Sequence, residues 1–80
     1  MRSKEFNEKN PLTIYVRQIS KQHFGEDFNI WTDISERAGM SYVSLIRICK
    51  CSKEEIMKIP LQTYILLRDN LDVDLLKGNY

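Results

Sequence analysis

Eighty residues allow one small domain, and 42% hydrophobic with 29% charged residues is the mix of an ordinary soluble globular chain. The longest apolar run falls far short of the ~20 residues of a membrane span, and the first residues carry no apolar signal core. The net charge of +1 hides an asymmetry: residues 37–53 hold Arg37, Arg47, Lys50 and Lys53 and no acid.

Residues 1–10 show neither helical nor strand periodicity and read as a flexible N-terminal arm. Asn10-Pro11 reads as a helix start, because Asn can cap and Pro fits a first turn whose N–H has no partner. Leu12, Tyr15, Val16, Ile19 and His23 then form one apolar stripe, which predicts a helix over 11–23 that stops at Gly25. Glu26-Asp27 is a turn. Asn29 caps a second helix, 30–38, with Ile34 and Ala38 inward and Gly39 as its end. Ser41 caps a third, 42–50, with Leu45 and Ile48 inward. Ser52-Lys53-Glu54-Glu55 has the spacing of a capping box and predicts a short turn of helix to Met57. Pro60 opens another helix, with Leu61, Tyr64, Ile65, Leu67, Arg68 and Leu71 along one side. Val73, Leu75 and Leu76 make a last apolar turn before Gly78. No segment alternates with period two, so the expected fold class is all-α, four to five short helices, with the folded domain spanning 11–77.

Cys49 and Cys51 are the two cysteines, and His23 is the single histidine. That is too few ligands for a zinc site and too few cysteines for a disulfide scaffold. The expectation is a cytoplasmic chain with free thiols, no metal, no cofactor and no small-molecule ligand. Ser41, Ser44 and Cys49 have no nearby base in the sequence, so an enzyme is not expected.

The most informative stretch runs from Ile34 to Ile48. Two short helices joined by a sharp bend need a residue that accepts a left-handed backbone, here Gly39. They need a plug between them, Met40, and a cap for the second helix, Ser41. A small residue is needed where the helices approach closely, Ala38. Ile34, Leu45 and Ile48 complete the packing of a helix-turn-helix.

In these residues the chain resembles the Cro/repressor-type helix-turn-helix domains of phage repressors and bacterial regulators, the lambda-repressor-like fold. That family often reads A-x-x-A-G-V-S-x-x-x-I-x-x-I. Here the stretch is Ser35-Glu36-Arg37-Ala38-Gly39-Met40-Ser41, followed by Leu45 and Ile48. A second block resembles P-x-L-x-T-L-L-x-I-A-x-A-L-G-V-x-L, with Pro60, Leu61, Thr63, Leu67, Leu71, Val73 and Leu75 at related places. The resemblance covers residues 11–76. Ser35 stands where Ala is usual, Asp72 where Gly is usual, and Arg68 where a small residue is common. The entry Phe28-Asn29-Ile30-Trp31 is also unusual.

The resemblance implies a sequence-specific DNA-binding transcriptional regulator of phage or mobile-element type, with the helix after Ser41 in the major groove of double-stranded DNA. It implies base contacts from Tyr42, Val43, Ser44 and Arg47, with Ile46 nearby. Phosphate contacts fall to Arg37, Ser41, Lys50 and Lys53. Arg can bond guanine O6 and N7 with two donors, and Val can touch a thymine methyl. One such helix reads few base pairs, so a homodimer on a palindrome is expected. Leu66, Leu75 and Leu76 are its expected interface, widened by Tyr80; alternatively Leu66 packs on Phe6 within one chain. A different reading is a protein-binding module on the same fold, with Tyr42, Val43 and Ile46 as an interaction patch.

Overall fold

α1 (Pro11–Gln22) starts where the sequence places it: the Asn10 side chain accepts the Leu12 N–H, and Pro11 occupies the first turn. The structure is a computed structural model that describes residues 5–25, 27, 29–78 and 80. Residues 1–4 of the expected arm, Glu26 of the expected turn and Phe28 of the α2 entry lie outside the described residues. α2 spans Ile30–Ala38, α3 Tyr42–Cys49, α4 Lys53–Ile56 and α5 Leu61–Leu71. The described residues contain no strand, and the fold class is all-α. No helix among them is long and apolar enough to cross a membrane.

α3 packs against α1 on one side and α2 on the other, while α5 closes over α2. Leu12, Val16, Ile34, Ala38, Leu45, Ile48, Ile56, Leu67 and Leu71 meet in one core with Val73 and Leu75. The starts of α1 to α4 are each capped by a side chain, while α5 follows Pro60 with no side-chain cap. Asn29 accepts from Thr32 N–H, Ser41 accepts from Ser44 N–H, and Ser52 with Glu55 forms the capping box in both directions. After α5, Asp72 takes the left-handed conformation (φ 57°) that Gly more often supplies, and Val73 N–H returns to Leu67 O.

Residues 5–10 of the expected arm lie against the helices. Asn7 and Asn10 are hydrogen-bonded to the far end of α3, and Asn10 is wholly buried. Phe6 stands edge-on to Trp31, ring centroids 5.8 Å apart. The Arg17 guanidinium and the Lys50 ammonium lie 5.4 and 5.8 Å from the Phe6 ring centre, within cation–π range. Arg17 also donates to both carboxylate oxygens of Glu8, which holds that carboxyl below its ordinary pKa. The segment is a strap across α1 and α3.

α5 also differs from its expected pattern. Leu67 and Leu71 are in the core and Tyr64 packs against it, but Leu61 and Ile65 are exposed. Positions 64, 67 and 71 form one helical stripe and 61, 65 and 68 form its neighbour. Both are apolar enough to look like a single face in the sequence.

The bend between α2 and α3 is held at several points. Gly39 is left-handed (φ 71°, ψ 28°), and its N–H bonds Ser35 O. The Ser35 hydroxyl donates to Met40 O at 2.8 Å, a contact that Ala at that position cannot make. Asn70 of α5 donates to Ala38 O at 2.8 Å. A Cβ on Gly39 would make only an ordinary van der Waals contact, with Asn70 Nδ2 at 3.9 Å. The cost of a side chain there is therefore backbone strain, roughly 1–2 kcal/mol. Gly39→Val should lower the thermal midpoint by about 4–8 °C per kcal/mol in a domain of this size. Gly39→Asn should cost less, because Asn tolerates the left-handed region. Calorimetry on the two variants checks this.

Candidate nucleic-acid interface

α3 owes its position to what happens at its two ends. At the start, Ser41 Oγ accepts the Ser44 N–H and lies 3.1 Å from Ser44 Oγ. At the finish, the last carbonyls enter the protein interior and must find donors there. Asn10 Nδ2 donates to Ile48 O at 2.8 Å and to Cys51 O at 3.3 Å. Thr13 Oγ donates to Cys49 O at 2.9 Å, and Asn7 N–H donates to the same oxygen at 2.9 Å. Asn7 Nδ2 reaches Cys51 O at 3.1 Å. Three side chains from the strap and α1 thus hold the C-terminal end of α3. Asn10 is fully used: Oδ1 caps α1 while Nδ2 fixes α3.

With Leu45, Ile48 and Cys49 buried, the opposite side of α3 is presented outward. Tyr42 and Val43 are 55% and 53% exposed, and Arg47 is exposed. Among the described residues no acid pairs with Arg47. Ile46 is half-buried beside them, and Ser44 is half-buried with its hydroxyl against Ser41. Four of the residues expected on this surface, Ser41, Tyr42, Val43 and Arg47, are therefore brought together at or along one helix.

The expected phosphate contacts fare differently. Ser41 is committed to its cap. Arg37 Nε sits 2.9 Å from Asp33 Oδ2, one turn back on α2, as an ion pair without hydrogen-bond alignment. Lys50 is half-buried over Phe6. Lys53 corrects its assignment: its ammonium donates to Leu76 O at 2.7 Å and Gly78 O at 2.8 Å, and lies 5.1 Å from the Tyr80 ring centre. It fastens the C-terminal turn, because the carbonyls exposed by that turn have no helix to satisfy them. Tyr80 O–H adds a bond to Leu75 O. On the expected interface, Leu75 is 1% exposed and belongs to the core, so it cannot face a second chain. Leu66 is half-buried and Leu76 is exposed.

Asn7, Thr13, Ser35 and Asn70 were not singled out by the sequence as site-forming residues. Their signals are faint, since each is an ordinary polar residue whose partner is fixed only by the fold.

No protein-family model, curated protein or solved structure matches the chain.

The chemistry of Cys49 follows from the same packing. Burial pushes its thiol up from 9.0 to about 11, so at neutral pH it is a protonated core group. The folded chain keeps that proton to higher pH than the unfolded chain does. Stability is then full below about pH 9 and falls by about 2–3 kcal/mol as pH rises through 11. Tyr80, raised to about 12 mainly by burial, acts in the same direction at the top of that range. Urea titrations from pH 8 to 11 should show this decline, and Cys49→Ala should lose less stability over the same interval. An equal slope in both proteins would show that Cys49 titrates normally.

Proposed function

We propose that this chain is a sequence-specific DNA-binding transcriptional regulator of the Cro/repressor, lambda-repressor-like helix-turn-helix type. In this reading it works in the cytoplasm on double-stranded DNA, as a homodimer, without cofactor or catalytic role. The observation that carries it is the outward face of α3. A Ser-capped helix presents Tyr42, Val43 and Arg47, which no acid among the described residues pairs, while both of its ends are fixed. A major groove about 12 Å wide admits one helix. Arg47 supplies two parallel donors for guanine, Val43 a methyl surface for thymine, and Tyr42 a hydroxyl for a base or phosphate. Lys50, just past the helix, supplies charge for the backbone, which adds affinity without sequence information. A phage or mobile-element origin is part of the reading through the resemblance alone.

The apolar character of Tyr42 and Val43 favours a second reading, a protein-binding module using the same face. Salt separates the two: DNA binding releases counterions and weakens steeply with ionic strength, while an apolar protein contact does not.

Enrichment of random duplexes by the purified chain at stated salt should converge on one sequence. On that sequence Arg47→Ala should cost about 1–3 kcal/mol and change little on random duplex. Lys50→Ala should weaken both alike and reduce the salt slope by about one. Equal losses for Arg47→Ala on selected and random DNA would remove it from base reading. Failure to bind duplex at any salt would favour the protein-binding module.

A further inference from the structure

Where the strap crosses α1 and α3, one aromatic ring carries two cations. The Arg17 guanidinium and the Lys50 ammonium lie 5.4 and 5.8 Å from the centre of Phe6. With Phe6, Glu5 and Glu8 they line a single depression of about 430 Å³. Solvent reaches both cations, since the Arg17 side chain is 53% exposed and Lys50 is half-buried. Among the described residues, the strap alone engages either charge.

Arg17 donates through Nε and Nη2 to Glu8 Oε1 and Oε2 at 3.0 and 2.9 Å. A guanidinium offers the same two-pronged donor pair to a phosphate. Lys50 has no carboxylate partner, and its ammonium rests over the ring, a contact that is weak where water has access. An exposed Arg–Glu pair is also weak and is screened by salt. A nucleic-acid backbone presents a row of phosphates and releases counterions when cations meet it, so it competes well for both groups. Neither contact has to hold the strap down. Asn7 and Asn10 anchor it through bonds of their own, and Phe6 keeps its edge contact with Trp31 when Lys50 leaves the ring. Glu5 lines the same depression and adds to the negative charge that an incoming phosphate meets.

We infer that Arg17 and Lys50 form a paired phosphate site beside the end of α3, and that Glu8 and Phe6 of the strap occupy it until phosphate displaces them. The strap is then an internal competitor: the Glu8 carboxylate takes the Arg17 donors that phosphate oxygens would take, and the Phe6 ring holds the ammonium. The site adds Arg17, on α1, to a surface otherwise built on α3. The inference deepens the proposed reading of DNA and rests on it for the source of the phosphate, while the chemistry is that of any phosphate.

Fluorescence anisotropy with a random-sequence duplex at stated salt tests the competition on the full chain. Removing any carboxylate raises affinity for an anion, so Glu54→Gln, at an exposed position on α4, is the reference. Glu8→Gln should bind about 1.5–5-fold tighter than Glu54→Gln, the range of an exposed ion pair. In an Arg17→Ala background the two should bind equally. Phe6→Leu keeps an apolar contact for Trp31 and should bind about 2–5-fold tighter than the unmutated chain, a gain that disappears when Lys50→Ala is added. Equal affinities for Glu8→Gln and Glu54→Gln, a difference that persists without Arg17, or a folded Phe6→Leu that binds more weakly would each overturn the inference. If Phe6→Leu does not fold by circular dichroism, the Glu8→Gln comparison decides. A second arm uses inorganic tripolyphosphate and follows the Arg17 Nε–H resonance, which should shift on addition and titrate at lower concentration in Glu8→Gln. Tripolyphosphate that engages Arg17 in a chain that binds no duplex would count against the DNA reading and leave this site standing. Duplex binding that ignores every strap variant would do the reverse, and binding of neither probe would overturn both.

Discussion

A helix that ends inside a protein leaves carbonyls that water cannot reach, and α3 ends in this way. Each such acceptor left without a donor costs about 1–3 kcal/mol, a large share of the stability of a domain this size. One buried amide, that of Asn10, adds a donor to Ile48 O beside the Cys51 N–H and a donor to Cys51 O beside Asn7 Nδ2. Its oxygen starts α1 and its nitrogen bonds the end of α3, so the two helices cannot shift against each other without losing one set of bonds or the other. Thr13 and Asn7 complete the set on Cys49 O and Cys51 O. Phe6, wedged against Trp31 and flanked by Arg17 and Lys50, keeps the strap in place so that Asn7 can reach.

The same arrangement explains why the outward face of α3 can be specific under the proposed function. Base reading demands side chains held to within a fraction of an ångström, and rigid elements do this better than loops. Asn70 and Ser35 fix the bend before α3, while the strap fixes the chain after it. No acid stands between residues 37 and 53, and Arg37, the one base there with an ion pair among the described residues, has its partner at Asp33 on its own helix. The +4 stretch is therefore less uniform than it looks. Arg47 projects outward, Lys50 is partly engaged with Phe6, and Lys53 holds the C-terminal turn.

Local signals were legible in the sequence and long-range ones were not. The bounds of α2, the Ser41 cap, the capping box at Ser52 and the left-handed Gly39 all depend on residues within four positions of each other, where spacing alone fixes geometry. The outward exposure of Tyr42, Val43 and Arg47 follows from the same periodicity. The docking of residues 5–10 depends on carbonyls some forty residues away, and no periodicity encodes such a contact. Thr13 looks like a polar helix residue until Cys49 O is placed beside it. On α5 two adjacent apolar stripes merge in the sequence, and only the packing of Leu67 and Leu71 tells which one is inside. Lys53 reads as a free cation for the same reason: its carbonyl partners lie more than twenty residues ahead.

Amide hydrogen exchange in Asn10→Asp tests the role of this residue most directly. The carboxylate still accepts the Leu12 N–H, so the start of α1 is kept, but it has no donor for Ile48 O and Cys51 O and sets negative charge against them. Exchange at the amides of Leu45 to Cys49 should accelerate at least ~10-fold, equivalent to about 1.4 kcal/mol of local opening, while Leu67 and Leu71 in α5 change less. Equal acceleration throughout the chain, or none in α3, would contradict the claim that Asn10 holds this helix in place.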